Sequence, residues 1–192
     1  LGTYYIHASA AYDPLALDGL AFPPGGAPIT VVKQKLNSIS AFAQGTYEIV
    51  DNTNLTVGLR YNSDKYNVRG KTQFDPGFSR QSDSSSKLTY RIAIDHKLGR
   101  DVLIYGSHSR GFKSGAFNTL RYDKAAVSPE TLDATEIGFK SEFFDHTVRF
   151  NVAAYHYDYK NLQVLQIAVG AAYAINAGKA RINGIDVDLA VT

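Results

Sequence analysis

The chain has 192 residues, 44% of them hydrophobic and 20% charged, with a formal net charge of +2. Acidic and basic residues are interleaved, so the sequence lacks the basic footprint of a duplex-binding protein, and no nucleic-acid partner is expected. Cysteine is absent, which excludes disulfide frameworks and thiolate zinc sites. No apolar run approaches the ~20 residues that a membrane helix needs, but a barrel strand needs only ~9–11 residues with one apolar face.

Extended segments alternate with polar connections through the first part of the chain. Residues 4–12 predict a strand, and the proline- and glycine-rich residues 13–34 predict a long loop. A second strand is predicted over 36–50, and it ends at an Asx-rich turn at 51–54. The third strand carries apolar side chains at every second position, at Leu55, Val57, Leu59 and Tyr61. This period of two predicts one apolar and one polar face.

The middle of the chain continues this alternation. Residues 70–86, rich in serine, glycine and Asx, predict a second long loop. A fourth strand is predicted over 87–98, and a tight turn at 99–101 leads into a fifth strand over 101–110. A long polar loop at 111–130 then separates the fifth strand from the sixth, which alternates apolar and polar residues from Thr135 to Phe143.

The last part of the chain contributes a short turn at 144–146, a strand at 148–159, a loop at 160–176 and a final strand with Ile185, Val187 and Leu189 on one face. Long and short connections therefore alternate along the whole chain. Successive connections of an up-and-down sheet lie at opposite ends, so the long loops gather at one end, as in outer-membrane barrels. We interpret the chain as all-β, an antiparallel up-and-down transmembrane β-barrel segment of about eight strands that is part of a larger barrel.

Several short motifs occur in a fixed order along the chain. They are SRGFKSG at 109–115, SPETL at 128–132, EIGFKS at 136–141, NAGKAR at 176–181 and GIDVD at 184–188. Together they resemble the barrel segments of TonB-dependent outer-membrane receptors over roughly residues 40–192. The resemblance implies a bacterial outer-membrane location and TonB-energised uptake of a siderophore-type iron complex or another large nutrient. It implies a transporter component and not an enzyme, with no cofactor.

The resemblance also implies partners and a domain organisation. The partners are the remainder of the barrel and its plug, TonB, membrane lipid and lipopolysaccharide, and a small-molecule nutrient. Residues 1–192 are expected to form part of the barrel domain, because no plug, TonB box or C-terminal strand ending in an aromatic residue is recognised. TonB would then act through segments outside this sequence.

Two alternatives remain open at this point. The first is a soluble β-sandwich or lipocalin-like binding module, and the second is a complete small barrel of eight strands. The surroundings of two apolar stripes, one containing Val57 and the other Val187, distinguish a sandwich from a membrane barrel. A sandwich buries these stripes against a second sheet, whereas a barrel turns them outward to lipid.

The loop at 111–130 is the candidate ligand-binding segment. It combines cationic and aromatic side chains, which suit anionic, catechol-bearing or sugar ligands. The candidate contact residues are Arg110, Phe112, Lys113, Phe117, Arg121 and Tyr122. The loop is expected to be extracellular, because the short turns must lie at the opposite, periplasmic end.

No catalytic or metal site is expected. If the fourth and fifth strands pair around the turn at 99–101, His96 lies opposite Ile104 and His108 opposite Ile92, so the two histidines are not neighbours. Ser107 and His108 are adjacent on a strand and point to opposite faces, which rules out a nucleophile–base pair. Asp186 and Asp188 share one face of the last strand, and we interpret them as residues of the barrel wall. Tyr155, Tyr157 and Tyr159 share one face of the strand at 148–159, and we interpret them as an aromatic girdle near a loop end.

Overall fold

The computed structural model describes residues 1–15, 29–119, 122–145, 147–168 and 171–191. The strands are β1 Gly2–Leu15, β2 Thr30–Val50, β3 Thr53–Thr72, β4 Ser79–Lys97, β5 Val102–Lys113, β6 Glu130–Phe143, β7 Val148–Lys160, β8 Gln163–Ala168, β9 Ala171–Asn176 and β10 Lys179–Val191. Among these residues, no helix has the length and apolarity that crossing a bilayer would demand.

Eight of the strands form one antiparallel sheet in the order β1-β2-β3-β4-β5-β6-β7-β10. Strand neighbours in the sheet are also neighbours along the chain, except that β8 and β9 form a separate hairpin between β7 and β10. The predicted up-and-down topology is therefore confirmed. Within the described residues β1 and β10 stand at opposite edges and do not pair, so the alternative of a complete eight-stranded barrel is wrong.

The register between β4 and β5 agrees with the prediction. His108 pairs with Ile92 and Ile104 pairs with His96. The turn between these strands contains Gly99 at a φ of 76°, a left-handed conformation that glycine adopts without a steric penalty. A short turn of this kind leaves the two strands little freedom to slip, which is why the pairing could be read from the sequence.

One face of the sheet carries a continuous apolar belt near the short turns. The ladder registers place all of its members on this one face: Ile39, Val57, Leu59, Leu88, Ile92, Ile104, Ile137, Ile185, Val187 and Leu189. The β10 members Ile185, Val187 and Leu189 are 71%, 63% and 64% exposed, and nothing in the described chain packs on them. The stripes thus form surface rather than the core of a sandwich, and we call this face the outer face and the opposite one the inner face.

Strands β2, β3 and β4 are longer than predicted, with 21, 20 and 19 residues. The predicted loop at 70–86 is wrong for most of its length, because β3 continues to Thr72 and β4 begins at Ser79. The predicted loop at 13–34 shortens similarly, since β1 extends to Leu15 and β2 starts at Thr30. These extensions rise above the apolar belt, where their outer faces are mostly polar, so they lack the alternation that marks a lipid-facing strand.

The predicted loop at 160–176 is also wrong, because it contains the hairpin of β8 and β9, with Gln163 paired to Asn176 and Val164 to Ile175. The hairpin stands at the end of the sheet that holds the long connections. Its two strands are short, six residues each, and their apolar side chains run on without regular alternation. That pattern does not separate a strand from a loop in the sequence.

Candidate ligand-binding mouth of the barrel

The long connection between β5 and β6 is described at residues 114–119 and 122–129, and these residues lie over the inner face of the tall strands β2, β3 and β4. We call them the mouth loop. Phe117 and Tyr122 of this loop are each 7% exposed and pack with Val32, Tyr66 and Val68 in a small hydrophobic core. The rings of Tyr66 and Phe117 meet edge to face, with 5.8 Å between their centroids. The loop is therefore a packed part of the barrel wall.

A backbone feature of β3 makes this close approach possible. The ring of Tyr122 lies directly over Gly70, so that a Cβ at this position would come within 2.5 Å of the ring. Any residue with a side chain at position 70 would push the aromatic ring, and the mouth loop with it, away from the inner face. Glycine at this position thus lets Tyr122 seat against the strand.

Polar contacts hold the mouth loop along its length. The Tyr122 hydroxyl donates to Asp75 Oδ2 at 2.5 Å, and Gln81 Nε2 donates to the Tyr122 carbonyl at 2.8 Å. Gln34 Nε2 donates to the Phe117 carbonyl at 3.1 Å. At the start of the loop, the Ser114 hydroxyl donates to the buried carboxylate of Asp64. The loop is thus fixed to β2, β3, β4 and the β3–β4 turn.

The bond between Tyr122 and Asp75 persists over a broad pH range. Burial and the hydrogen bond to Asp75 raise the pKa of Tyr122 to about 12. The hydrogen bonds from Tyr122 and from the Thr72 backbone lower the pKa of Asp75 below the ordinary value of an aspartate. A lowered carboxyl pKa means that the contact contributes fully above that value and is lost as pH falls through the folded-state pKa.

The mouth loop is also joined to the β8–β9 hairpin. Asn118 makes a two-way contact with Ala174, accepting from its N–H at 2.6 Å and donating to its carbonyl at 2.9 Å. Gln163 Nε2 donates to the carbonyls of Ser114 and Ser128, both at 3.0 Å. Asn176 accepts from the Ser128 N–H at 2.8 Å. Loop and hairpin therefore form one structural unit at the mouth of the barrel.

The structure separates the predicted contact residues into different environments. Phe117 and Tyr122 are buried in the core under the mouth loop, and the Tyr122 hydroxyl is occupied by Asp75. Lys113 is exposed and lies on the inner face at the top of β5. Arg121 lies outside the described residues. Only Lys113 among the described candidates combines exposure with a place on the inner face.

Arg110 and Phe112 lie on the outer face, because they alternate with Lys113 along β5. Arg110 donates from Nε and one terminal nitrogen to the two carboxylate oxygens of Asp133, at 2.5 and 2.9 Å. Its guanidinium also lies 5.6 Å from the ring centroid of Tyr90. This arginine is engaged in the barrel wall and points away from the lumen.

The inner face below the mouth is polar and aromatic. Tyr155 and Tyr157 stack at 4.7 Å between centroids, and the Tyr105 hydroxyl donates to Glu136 at 2.7 Å. The interpretation of the β7 tyrosines as a lipid-facing girdle is wrong, because the outer positions of β7 belong to residues such as Ala154 and Val152.

The acidic residues of β10 also lie on the inner face. Asp188 accepts from Asn151 Nδ2 at 3.2 Å and pairs with Arg149 at 3.5 Å, which fits the wall role predicted for it. In the described part of the chain, no group of three or more histidine or carboxylate side chains is arranged to hold a metal ion. The inner face therefore offers hydrogen-bonding and aromatic surface.

An open up-and-down sheet with an apolar outer belt, a polar inner face, short turns at one end and long connections at the other defines a section of an outer-membrane β-barrel. The chain belongs to the TonB-dependent receptor family, since the family model described as TonB dependent receptor-like, beta-barrel matches residues 2–192. It is therefore a protein of the Gram-negative outer membrane, from a family of transport receptors.

Solved structures share this fold. The ferric yersiniabactin uptake receptor FyuA from Yersinia pestis superimposes with a TM-score of 0.76 at 18% identity, over 97% of this chain and 28% of that one. The siderophore receptor PiuA from Acinetobacter baumannii gives a TM-score of 0.66 at 19% identity, over 85% and 24% of the two chains. The pesticin receptor of Yersinia enterocolitica is 22% identical over 156 residues, 79% of this chain and 23% of the relative. The chain spans about a quarter of the length of these relatives.

Proposed function

We propose that the chain forms the ligand-capturing wall of a receptor for a siderophore-type iron complex. The observation that supports this most directly is the unit of mouth loop and β8–β9 hairpin, which is built onto the inner face at the end of the sheet with the long connections. Ligand entering the barrel from outside would pass this unit first. Receptors named for iron complexes among the similar structures support the same class of ligand.

The capture step is the part of transport that these residues would perform. Lys113 supplies an exposed ammonium at the inner edge of the mouth, which suits an anionic complex. Phe117 and Tyr122 act as positioning residues, since their packing sets where the mouth loop lies. Energy from TonB and movement of a plug would act through other segments of the whole receptor.

The exposed apolar side chains of the hairpin complete the proposed capture surface. Leu165 and Ile167 of β8 are 66% and 81% exposed, although they lie in a unit that is otherwise hydrogen bonded throughout. Aromatic and aliphatic parts of a siderophore can bury against such side chains, while its anionic groups face a cation. Lys113 and the hairpin would together bind a ligand that has both features.

Uptake of a panel of radiolabelled iron complexes by iron-starved cells expressing the whole receptor would test this proposal. Lys113→Gln should weaken uptake of an anionic complex several-fold, and Tyr122→Phe should lower uptake by loosening the mouth loop. Arg181→Gln removes a cation from the outer face and serves as the matched control, with uptake unchanged. The amount of receptor in the outer membrane is measured in each strain.

Two results would count against the proposal. If no iron complex in the panel is taken up by the unaltered receptor, the ligand class is wrong. If uptake is normal and neither Lys113→Gln nor Tyr122→Phe changes it, capture does not occur at this mouth.

A further inference from the structure

Three cations surround a groove on the inner face of β2, β3 and β4, below the mouth loop. They are Arg60 on β3 and Lys87 and Arg91 on β4. Thr89 is directly opposite Arg60 in the ladder, so Arg60 lies diagonally opposite both Lys87 and Arg91. Long side chains reach each other across such diagonals. The register therefore directs three positive charges to one place on the wall, which we call the inner cation site.

The groove at this site is open because a glycine of β3 forms its floor. Its volume is about 240 Å³, and its inward side chains are those of Phe42, Gln44, Arg60, Thr89 and Arg91. Gly58 lies between Gln44 and Arg91 in the ladder, and a Cβ at position 58 would come within 3.2 Å of Gln44 Oε1. Pockets for whole drug-sized ligands have volumes of ~300–1,000 Å³. This groove therefore suits one anionic arm of a larger complex.

Buried polar side chains fix the guanidinium of Arg60. Its Nε donates to Asn62 Oδ1 at 2.8 Å, and one terminal nitrogen donates to Ser40 Oγ at 2.9 Å. Asn62 and Ser40 are 5% and 2% exposed, so both acceptors belong to the packed wall. These contacts leave other N–H groups of the guanidinium for a ligand. Arg60 is thus held in place before an anion arrives, which lowers the entropy cost of binding.

The chain supplies little counter-charge around the groove. In the described ranges of the chain, none of the three cations forms an ion pair with a carboxylate. Asp64 lies diagonally opposite Lys87 on the same face, but it accepts the hydroxyl of Ser114. Glu136, further along the inner face, accepts from Tyr105. Like charges within reach of one another repel, so an anion in the groove would relieve the repulsion.

The inner cation site lies below the capture surface proposed above. Arg91 pairs with Ser109 of β5, and Lys113 is further up the same face of that strand, about 13 Å away at ~3.3 Å per residue. On the outer face of β3 the apolar belt ends at Tyr61, next to Arg60, so the site is level with the outer boundary of the bilayer. An anionic ligand that passes Lys113 would meet this site next.

The donors of the site favour carboxylates over catechol rings. Guanidinium forks bind the two oxygens of a carboxylate in parallel, and Gln44 and Thr89 add neutral groups suited to a hydroxyl. A catecholate complex instead presents rigid aromatic rings, which bind against apolar or aromatic walls. Phe42 supplies a ring to the groove, but the guanidinium of Arg60 lies 5.8 Å from its centroid. The groove therefore offers charge and hydrogen bonds beside a ring that already holds a cation.

We propose that the inner cation site binds the carboxylate groups of a hydroxycarboxylate-type iron complex, and that such a complex is the ligand of the receptor. The inference rests on the proposed function, because it takes the transported ligand to be an anionic iron complex. Lys113 attracts the complex at the mouth, and Arg60 and Arg91 then bind its carboxylates. Thr89 and Gln44 contact its hydroxyl group. Arg60 and Arg91 thereby determine specificity among iron complexes.

The test uses the whole receptor and three iron complexes of different chemistry: ferric citrate, a ferric tris-catecholate and a neutral ferric trihydroxamate. Arg60→Gln with Arg91→Gln removes two cations from the groove. Arg69→Gln with Arg80→Gln removes the same charge from the outer face of the same two strands and is the matched control. Binding of each radiolabelled complex to the receptor purified in detergent gives Kd. Uptake by iron-starved cells is measured together with the amount of receptor in the outer membrane.

We expect the groove variant to bind ferric citrate roughly tenfold more weakly and the control variant to bind it as the unaltered receptor does. Arg60→Lys should recover only part of the loss, because an ammonium keeps the charge without the fork. Arg91→Gln alone keeps the test valid if the double substitution prevents assembly.

Three results would overturn the inference. Uptake of the catecholate or the trihydroxamate but not of ferric citrate would refute the ligand class and leave the proposed function intact. Equal binding of ferric citrate by the groove and control variants would show that the groove is not the site. An equal loss of binding for every complex that the receptor takes up would assign the cations to holding the plug. Failure to take up any of the three complexes would refute the proposed function, and this inference with it.

Discussion

Two charged regions of the outer face show opposite ways of placing cations on a membrane barrel. The first, which we call the basic patch, lies above the apolar belt on the tall strands, where Lys33 on β2, Arg69 on β3 and Arg80 on β4 oppose one another with no carboxylate between them. Across β5, β6, β7 and β10 a second row reads Arg110, Asp133, Asp158 and Arg181, and we call it the paired row. There Arg110 pairs with Asp133 at 2.5 Å and Arg181 with Asp158 at 2.8 Å. Each cation of the paired row has its counter-ion within the sheet.

The difference shows that arginine has a different role in each of the two regions. Arginine in the paired row is neutralised by its neighbours, so it joins adjacent strands and carries little net field outward. Arginine in the basic patch keeps its field and its free donors, so it attracts anions from outside the protein. Counting charges along the sequence cannot reveal this, because only the register decides which side chains face each other.

Both charged regions lie above one lipid-facing belt. Placing a charge in this belt should have the largest effect of all the changes proposed. Val57→Arg places a charge below the basic patch, and Val187→Arg places one below the paired row. A charge on the lipid face at the bilayer midplane costs ~2–4 kcal/mol, so each change should impair assembly of the whole receptor. Heat-modifiable mobility of outer-membrane fractions measures assembly, with Asp186→Asn as an inner-face control. Normal assembly of both variants would show that the assignment of the outer and inner faces is reversed.

Breaking the paired row should cost less. Asp133→Asn removes the carboxylate that holds both Arg110 and Lys160, the latter through a contact of 3.3 Å. Asp133 is 16% exposed, so losing these contacts should lower stability by about 1 kcal/mol. Thermal unfolding of the detergent-solubilised receptor measures the change. An unchanged Tm would show that the paired row is not held together by its charges.

Converting the basic patch into a paired row should raise the stability of the receptor in the absence of lipopolysaccharide. Arg69→Glu sets a carboxylate between Lys33 and Arg80, whereas Arg69→Gln removes the charge and loses the same contact with Phe78. The glutamate variant should be more stable than the glutamine variant by ~0.2–1 kcal/mol, because opposed unlike charges attract. A less stable glutamate variant would mean that the row carries no repulsion to relieve.

The smallest effect concerns salt. Raising the ionic strength screens the repulsion between exposed charges. Receptor free of lipopolysaccharide should therefore gain stability, by roughly a few tenths of a kcal/mol. The gain should disappear when Lys33, Arg69 and Arg80 are all changed to Gln. Tm measured across a salt series distinguishes the two proteins, and an equal gain in both would place the repulsion elsewhere.

Much of the fold could be predicted because lipid imposes a strict alternation on the spanning part of each strand. Val57 and Leu59, or Val187 and Leu189, mark the outer face without ambiguity. Above the belt that constraint ends, so the serine-rich start of β4 was predicted as loop although it is a strand. On β7 both faces carry apolar side chains, and the larger tyrosines were assigned to the wrong one.

The mouth could be predicted only in outline. Cationic and aromatic residues after Arg110 indicated a binding segment, but not that Phe117 and Tyr122 would be covered by β2 and β3. That packing depends on Gly70, far away in the sequence and without a side chain to signal a contact. Whether Lys113 and the other candidates contact ligand stays a prediction, which the uptake experiment addresses.

The unequal heights of β4 and β5 have a consequence for assembly. β5 pairs with β4 only as far as Tyr90, so on that side the stretch from Ser79 to Thr89 has no ladder partner among the described residues. A bare strand edge can recruit a strand from another molecule while the receptor is still inserting. Here the edge is occupied by serines, Asp83 and Arg80 rather than by β-branched apolar residues. Hydrophilic gatekeepers of this kind disfavour such pairing, so a run of valines in place of Ser82 to Ser86 would be expected to promote misassembly between receptors.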